Sequence, residues 1–495
     1  MQGVAAVPFA TQAVSARARR QWIAASVSIV ALVAAAAAIV FRLAPEDRII
    51  AAPMAAIAET ALVFVAVLWS RDGILPLFEA GSLCMFANAV YGILPLAGFV
   101  MMHGRWDPYA DLRIQAYPFI PAEIGAFGWR YALYTAAFAA TYLIIRGRAV
   151  VRSAAFRLPK VNTYVAVAIV FVALYACKFA LRIHYGYDPE SASYENLAAT
   201  LAAMRAKPLW VQQVGHNVIS AFGVVQSAVL VLLIAQWRKR WARYTVVLWV
   251  AAEMATVAVR LGSRSSAVLL LISAGVLYHR LVKPLSLRLS IVAGVLLLTA
   301  FLAVGALRGR SDSSLERAPN AITAANEFQV LFTTAFDIHQ RAEAGQIAHI
   351  PWQLYFSDLY FVIPSQVLPF EKIDPTLWYL DLLGIGDSGV GFMFGVMSQA
   401  VLGLDWIELF FRGAVLAACL ALLHRWYVRN ATRFWPTVFY LFIGIWTYLT
   451  FRATSFYFLY MIVYHFIPVL LITKFLEVLV NPAVRERGPQ AGFAQ

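Results

Sequence analysis

The sequence predicts an all-α polytopic membrane protein of about twelve spans with one large outside loop of short helices. Two compositional facts lead there: of 495 residues, 62% are hydrophobic and only 13% charged. A soluble chain carries about 45–50% apolar and about 25% charged residues. The third observation is grouping, because runs such as Trp22–Phe41 and Leu289–Leu307 approach the roughly 20 residues that cross a bilayer as helix. Soluble enzymes, disordered chains and secreted disulfide scaffolds are excluded. Cys84, Cys177 and Cys419 all lie inside apolar runs, so no disulfide framework is indicated.

The elements follow in order. Residues 1–21 form a basic amino-terminal segment with Arg17, Arg19 and Arg20. The apolar run behind it is too long for a signal peptide core and reads as an uncleaved first span. Spans are expected at 22–42, 49–69, 74–102, 126–145, 161–181, 209–236, 244–260, 265–279 and 289–307, each helical because lipid offers no partner to a free backbone amide. Three more are expected at 405–424, 434–451 and 453–476, after a re-entrant stretch that opens the 389–480 region. The tail 481–495 reads as disordered and cytoplasmic.

The net charge of +14 could mean nucleic acid in a soluble chain, but here position matters more than sum. Basic residues cluster at Arg146–Lys160, Arg238–Arg243, Arg280–Arg288 and Arg425–Arg433. These connections, Arg71 and both termini fall on one side if the amino terminus is cytoplasmic, as the positive-inside rule requires. No nucleic-acid partner is expected. The opposite, periplasmic side receives the loop 308–388, far beyond ordinary connection lengths. Its Trp, Tyr, Phe, Leu and Pro content argues against disorder, and short helices lying on the outer membrane face are expected.

Three constellations carry candidate chemistry. Glu253, Arg260 and Arg264 are offset by 0, 7 and 11 and share a helix face, with Gly262 allowing a tight turn. Arginine forks at such a turn can grip a diphosphate, although snorkelling to the interface is the plain alternative. A glutamate inside a span is costly enough to favour a function or a partner. Arg308 and Arg310 follow span nine, and Glu327, Asp337 and His339 come next. His339 is a candidate general base because imidazole titrates near neutrality, and Glu327 competes for that role. Asp337 and His339 do not face each other on a helix but could in a loop. The aromatic set Trp352, Tyr355, Tyr360, Trp378 and Tyr379, interleaved with Asp358, Asp374 and Asp381, could stack sugar rings or form an interfacial belt.

Other charges fall inside predicted spans: Glu59, Glu79, Arg130, Lys178, Asp405, Glu408 and Arg412. Glu408 and Arg412 stand four apart and are expected to pair, whereas Lys178 is near enough to a span end to snorkel. Eight histidines show no paired ligand spacing, and neither metal nor cofactor is expected. No phosphate loop, zinc helix or nucleophile elbow is present. No inverted repeat of the transporter kind is evident.

The string Leu261–Arg280, a Gly262-Ser263-Arg264-Ser265 turn before a Leu-rich span ending in His279-Arg280, resembles a segment of bacterial oligosaccharide repeat-unit polymerases of the Wzy type. The long outside loop between two late spans is similar too, as are Val362–Pro369 and the glycine-rich stretch Gly384–Gly403. The likeness covers span layout and about a hundred residues of local pattern. The long-spaced arginine–glycine loop patterns of some members are absent, so no subfamily follows. The resemblance implies a metal-independent glycosyltransferase with a GT-C-like membrane fold. Its donor and acceptor would be undecaprenyl-diphosphate-linked glycans at the outer face of the bacterial inner membrane, with membrane lipid and a chain-length regulator as partners. Arg264 matches the turn arginine and would bind the donor diphosphate. Arg260, Arg308 and Arg310 join it on physical grounds alone. An O-antigen ligase, a flippase of lipid-linked sugars and a GT-C mannosyltransferase are the competing readings.

Overall fold

A computed structural model describes residues 43–101, 120–147, 156–186, 203, 206–260, 265–308, 327–347, 349–364, 367–384 and 394–480. Among the described residues every regular element is helical. The amino-terminal helices are α1 (Pro45–Asp72), α2 (Ala80–Met101), α3 (Pro121–Arg146) and α4 (Val161–Tyr185). The middle of the chain forms α5 (Leu209–Ala235), α6 (Arg240–Arg260), α7 (Ser265–Leu281) and α8 (Leu287–Arg308). The 308–388 region contributes α9 (Glu327–Glu343), α10 (Trp352–Tyr355), α11 (Ser357–Tyr360) and α12 (Pro375–Leu382). The carboxy-terminal third is α13 (Val396–Val401), α14 (Trp406–Asn430), α15 (Phe434–Trp446), α16 (Leu449–Arg452) and α17 (Tyr457–Met461). A π-helical turn, Ile462–Phe466, then joins α17 to α18 (Ile467–Leu479).

Local sequence sets the helix ends. Both α1 and α3 start with proline in the first turn and carry acidic residues there, Glu46 and Asp47 in one and Glu123 in the other. Proline has no amide to strand at that position, and carboxylates suit the positive end of the helix dipole. Gly73 and Gly186 stop α1 and α4 at φ 70° and 58°, a conformation only glycine adopts at little cost.

Among the described residues, seven helices are long and apolar enough to cross a membrane: α1, α2, α4, α5, α14, the Phe434–Arg452 unit and the Tyr457–Leu479 unit. The predicted spans at 126–145, 244–260, 265–279 and 289–307 are also helical, as α3, α6, α7 and α8, but fall outside those seven. The first predicted span and the tail lie outside the described residues.

Helix α3 packs most extensively, against α1 on one side and α14 on the other. Glycines make these approaches possible. A Cβ on Gly125 would meet the Ile49 carbonyl at 2.7 Å, and one on Gly413 of α14 would meet the Tyr134 carbonyl at 2.9 Å. Small residues of this kind supply the close van der Waals contact that drives helix association in lipid. A second group gathers on α5, which touches α4, α6, α7 and α15, while α18 closes against α4.

The basic connections meet at one end of the bundle. Arg146 bonds Asp72, Arg425 reaches the Ile145 carbonyl, and the Arg157 amide donates to Thr432. Gln236 bonds Tyr164 at the same end. Arg71, Arg146, Arg157, Gln236 and Arg425 thus share one physical end of the molecule.

The opposite end departs from expectation. Helix α9 does not lie on a surface. Phe332, Ala335, Phe336 and Ile338 are fully buried, and α9 packs on α2 and α13. Phe332 stacks on Tyr131 at 5.5 Å and meets Phe127 edge-on at 5.2 Å. Its apolar face was large enough to require a partner, and α2 and α3 provide one. All six residues of α13 are buried beside it, whereas α10, α11 and α12 are short helices as expected.

Replacing Gly413 by leucine should drive α14 off α3. Overpacking of this kind costs about 1–3 kcal/mol, to be read as a lowered thermal midpoint of the purified protein. An unchanged midpoint would show that the α3–α14 approach is not close-packed.

Candidate functional site

One face of α3 organises the end opposite the basic connections. Glu123, Phe127, Arg130, Tyr131 and Tyr134 recur at helical spacing and look towards α9 and α14. Arg130 is buried and grips Asp405 with a two-pronged fork, Nε to Oδ1 at 2.7 Å and Nη2 to Oδ2 at 2.6 Å. Its guanidinium lies 5.3 Å from the Phe127 ring centre and 4.7 Å from that of Trp406. Such flanking and a bidentate partner are what a planar guanidinium favours over an ammonium. Asp405 has φ 51°, the sole positive φ at a non-glycine among the described residues. Strain of this sort persists only where surroundings fix it, and the Arg130 fork does so here.

His339 stands beside this pair on α9. Its ring is half-buried, 5.6 Å from Phe127, with Nε2 3.3 Å from Glu343 Oε1. The neighbouring residue Gln340 donates to Glu123 at 3.1 Å, tying α9 to the first turn of α3. Burial and then the Arg130 charge push the imidazole below its ordinary range, outweighing the upward pull of Glu343 and Asp405. A neutral imidazole can accept a proton.

A second network centres on Arg412, two helical turns along α14. Nε donates to Glu408 at 2.6 Å. Nη1 donates to Asp358 at 2.9 Å, Gln399 at 2.8 Å and Ser455 at 2.5 Å. Asp358 also accepts the Phe456 amide at 2.8 Å, and the Gln399 amide group reaches the Leu354 and Tyr355 carbonyls at 3.2 Å. This web binds α11, α13, α14 and the 455–456 turn together. Tyr91, Tyr131, Leu331, Phe451 and residues 395–398 line a small cavity between α9 and α13.

Few of the expected site residues fall on described side chains. Arg264 and Arg310 lie outside the described residues. Arg260 ends α6, Arg308 ends α8 and Glu327 begins α9; their side chains also lie outside the described part. Glu253 is half-buried on α6, whose main neighbours are α5 and α7, not those of α9. Asp337 and His339 do not meet. Because α9 is a regular helix, Asp337 turns inward to take Arg341 at 2.7 Å and the Tyr379 hydroxyl at 2.8 Å.

The aromatic set is corrected in part. Tyr360 and Tyr379 are 3% and 0% exposed and spend their hydroxyls on Ile373 and Asp337, so neither can offer a face to a sugar. Asp374 caps α12 and Asp358 is held by Arg412. Tyr355 donates to the Leu402 carbonyl. Trp352 remains 49% exposed, edge-on to Phe370 at 4.7 Å.

Most of the charges inside predicted spans find partners, while Glu59 is exposed. Glu408 and Arg412 pair as expected, Lys178 lies 5.4 Å over the Phe222 ring, and Glu79 joins Asp72 on Arg146. Sequence reasoning noted Arg130 and Asp405 without joining them. Only their cost inside a membrane hinted that each needed the other, because 275 residues separate them. In comparisons with family models, curated proteins and solved structures, no match to this chain was found.

Removing the Arg412 guanidinium would strand Asp358 and Glu408. Arg412→Met should cost about 3–5 kcal/mol in thermal unfolding. Adding Asp358→Asn and Glu408→Gln should recover most of it, and an unperturbed single variant would deny the network its structural role.

Proposed function

We propose that the chain is a membrane glycosyltransferase that polymerises undecaprenyl-diphosphate-linked oligosaccharide repeat units at the periplasmic face of a bacterial inner membrane. On this reading it has twelve spans in a GT-C-like arrangement, with the basic end cytoplasmic by the positive-inside rule. The observation that carries the proposal is His339, a half-buried imidazole held towards its neutral form at the end away from the basic connections. The likeness of Leu261–Arg280 to the polymerase segment adds the donor side.

The chemistry is a displacement at the anomeric carbon of the donor glycan. The bond from that carbon to the lipid diphosphate breaks, and its electron pair leaves with the diphosphate. Arg264, with Arg260, Arg308 and Arg310, would stabilise that growing charge more than the ground state, which lowers the barrier. The acceptor hydroxyl oxygen bonds to the anomeric carbon while its proton passes to the base. Glu327 and His339 are twelve residues apart on one helix, so roughly 18 Å of axial rise separates them. They cannot serve the same hydroxyl, and the protonation state of His339 favours it. Trp352 is available to stack on the incoming glycan.

Purified protein in nanodiscs, given the lipid-linked repeat unit without nucleotide sugar or added metal, should yield a ladder of lipid-linked oligomers. Arg264→Ala should abolish the ladder without loss of expression or membrane insertion. Transfer only to a different acceptor would instead mean a ligase, and lipid movement without new bonds a flippase.

The pH profile should report His339. Its neutral form is the active one, so activity falls as pH drops through a pKa below the ordinary value of about 6.5. Arg130→Gln with Asp405→Asn removes the dominant charge and should move that acidic limb up. Glu343→Gln should move it down. Limbs unmoved by either change would exclude His339 as the base.

A further inference from the structure

At the basic end, Arg157, Lys160, Arg425, Arg429 and Arg433 are exposed, and none makes an ion pair among the described residues. Their backbones converge. The Arg157 amide donates to the Thr432 carbonyl at 2.9 Å, which brings the segment before α4 against the α14–α15 turn beside Arg433. Arg425 and Arg429 are one turn apart on α14 and share a face with each other. Glu477 reaches this corner through Trp435 Nε1 at 3.5 Å but is already engaged by Lys474 at 2.7 Å. Among the described residues, the corner therefore holds an uncompensated positive charge.

An apolar track leads into it. Phe411, Val415, Leu422 and Trp426 are 59%, 48%, 55% and 41% exposed and recur at offsets that keep them on one face of α14. Arg429 continues that face at its end. Trp426 leans edge-on against Phe439 of α15 at 5.8 Å, and amphipathic rings such as Trp favour the headgroup level of a bilayer. A free phosphate would have no use for the track. A molecule with an anionic head and hydrocarbon tails matches both parts.

We propose that this corner is a binding site for an anionic phospholipid, its phosphate held among Arg157, Arg429 and Arg433 and its acyl chains laid along Leu422 and Trp426. The site rests on membrane residence alone and is independent of glycosyl transfer. Guanidinium groups suit it because they fork onto phosphate oxygens and shed water more readily than ammonium groups.

Native mass spectrometry of the full-length protein, titrated with phosphatidylglycerol and with phosphatidylcholine, tests the assignment. Phosphatidylglycerol should bind more tightly. Its affinity should fall on the order of a hundredfold in Arg157→Gln/Arg429→Gln/Arg433→Gln, as loss of three basic contacts implies. The same number of substitutions at Arg238, Arg240 and Arg243 should leave it near the wild-type value, and inorganic phosphate should not displace the lipid. Equal loss in both triple variants would mean a diffuse field and overturn the site, as would equal binding of the two lipids or displacement by phosphate. Photo-reactive phosphatidylglycerol provides a check on the unmodified protein: labelling should fall within residues 411–433, and labelling confined elsewhere would refute the proposal.

Discussion

Pairing of charge across two helices is the constraint on which the rest of this molecule depends. Helices α3 and α14 carry Arg130, Arg146 and Arg412, and each guanidinium is matched by carboxylate: Asp405, then Asp72 with Glu79, then Asp358 with Glu408. An unpaired charge in a membrane interior costs several kcal/mol or more. The pairs therefore fix which surfaces can face one another. Gly413 and Gly125 let the backbones come close enough for these side chains to reach.

The two arginines away from the basic end do more than neutralise acids. Arg412 draws in Asp358 from α11 and Gln399 from α13, so the region before α14 is held as part of the bundle. Arg130 locks Asp405 at the start of α14 and lies close enough to His339 to depress its basicity. The pair that joins α3 to the start of α14 thus also bears on the protonation of His339. Substitutions at Arg130 therefore act on both packing and the His339 proton, whereas those at Arg412 act on packing.

At the other end, cations outnumber acids for a different reason. Arg146 is consumed internally, but Arg157, Arg429 and Arg433 point to no protein partner among the described residues. Exposed guanidinium groups beside an apolar helix face are compatible with lipid headgroups, whose phosphates supply the missing charge. The molecule is therefore polar at both ends in unlike ways: paired and buried charge at one, open positive charge at the other.

Much of this was legible in the sequence because it follows from local rules. Apolar runs set the helices, the Lys and Arg pattern identified one end, and the four-residue spacing of Glu408 and Arg412 predicted their pairing. The amphipathic character of α9 was equally local, but its destination was not. Burial of Phe332 and Phe336 depends on the cleft between α2 and α3, which no window of sequence contains. The same holds for Tyr360 and Tyr379, whose aromatic rings read as accessible until the core claimed them. Arg130 and Asp405 meet across 275 residues, and Asp337 chose Tyr379 over His339 because a regular helix turned it inward. Composition and periodicity decided the helices and their membrane-spanning length and apolarity, since those are set by each segment's own transfer free energy. Tertiary structure alone decided the partners, because a buried charge or ring accepts whichever complementary group the packing of distant helices delivers.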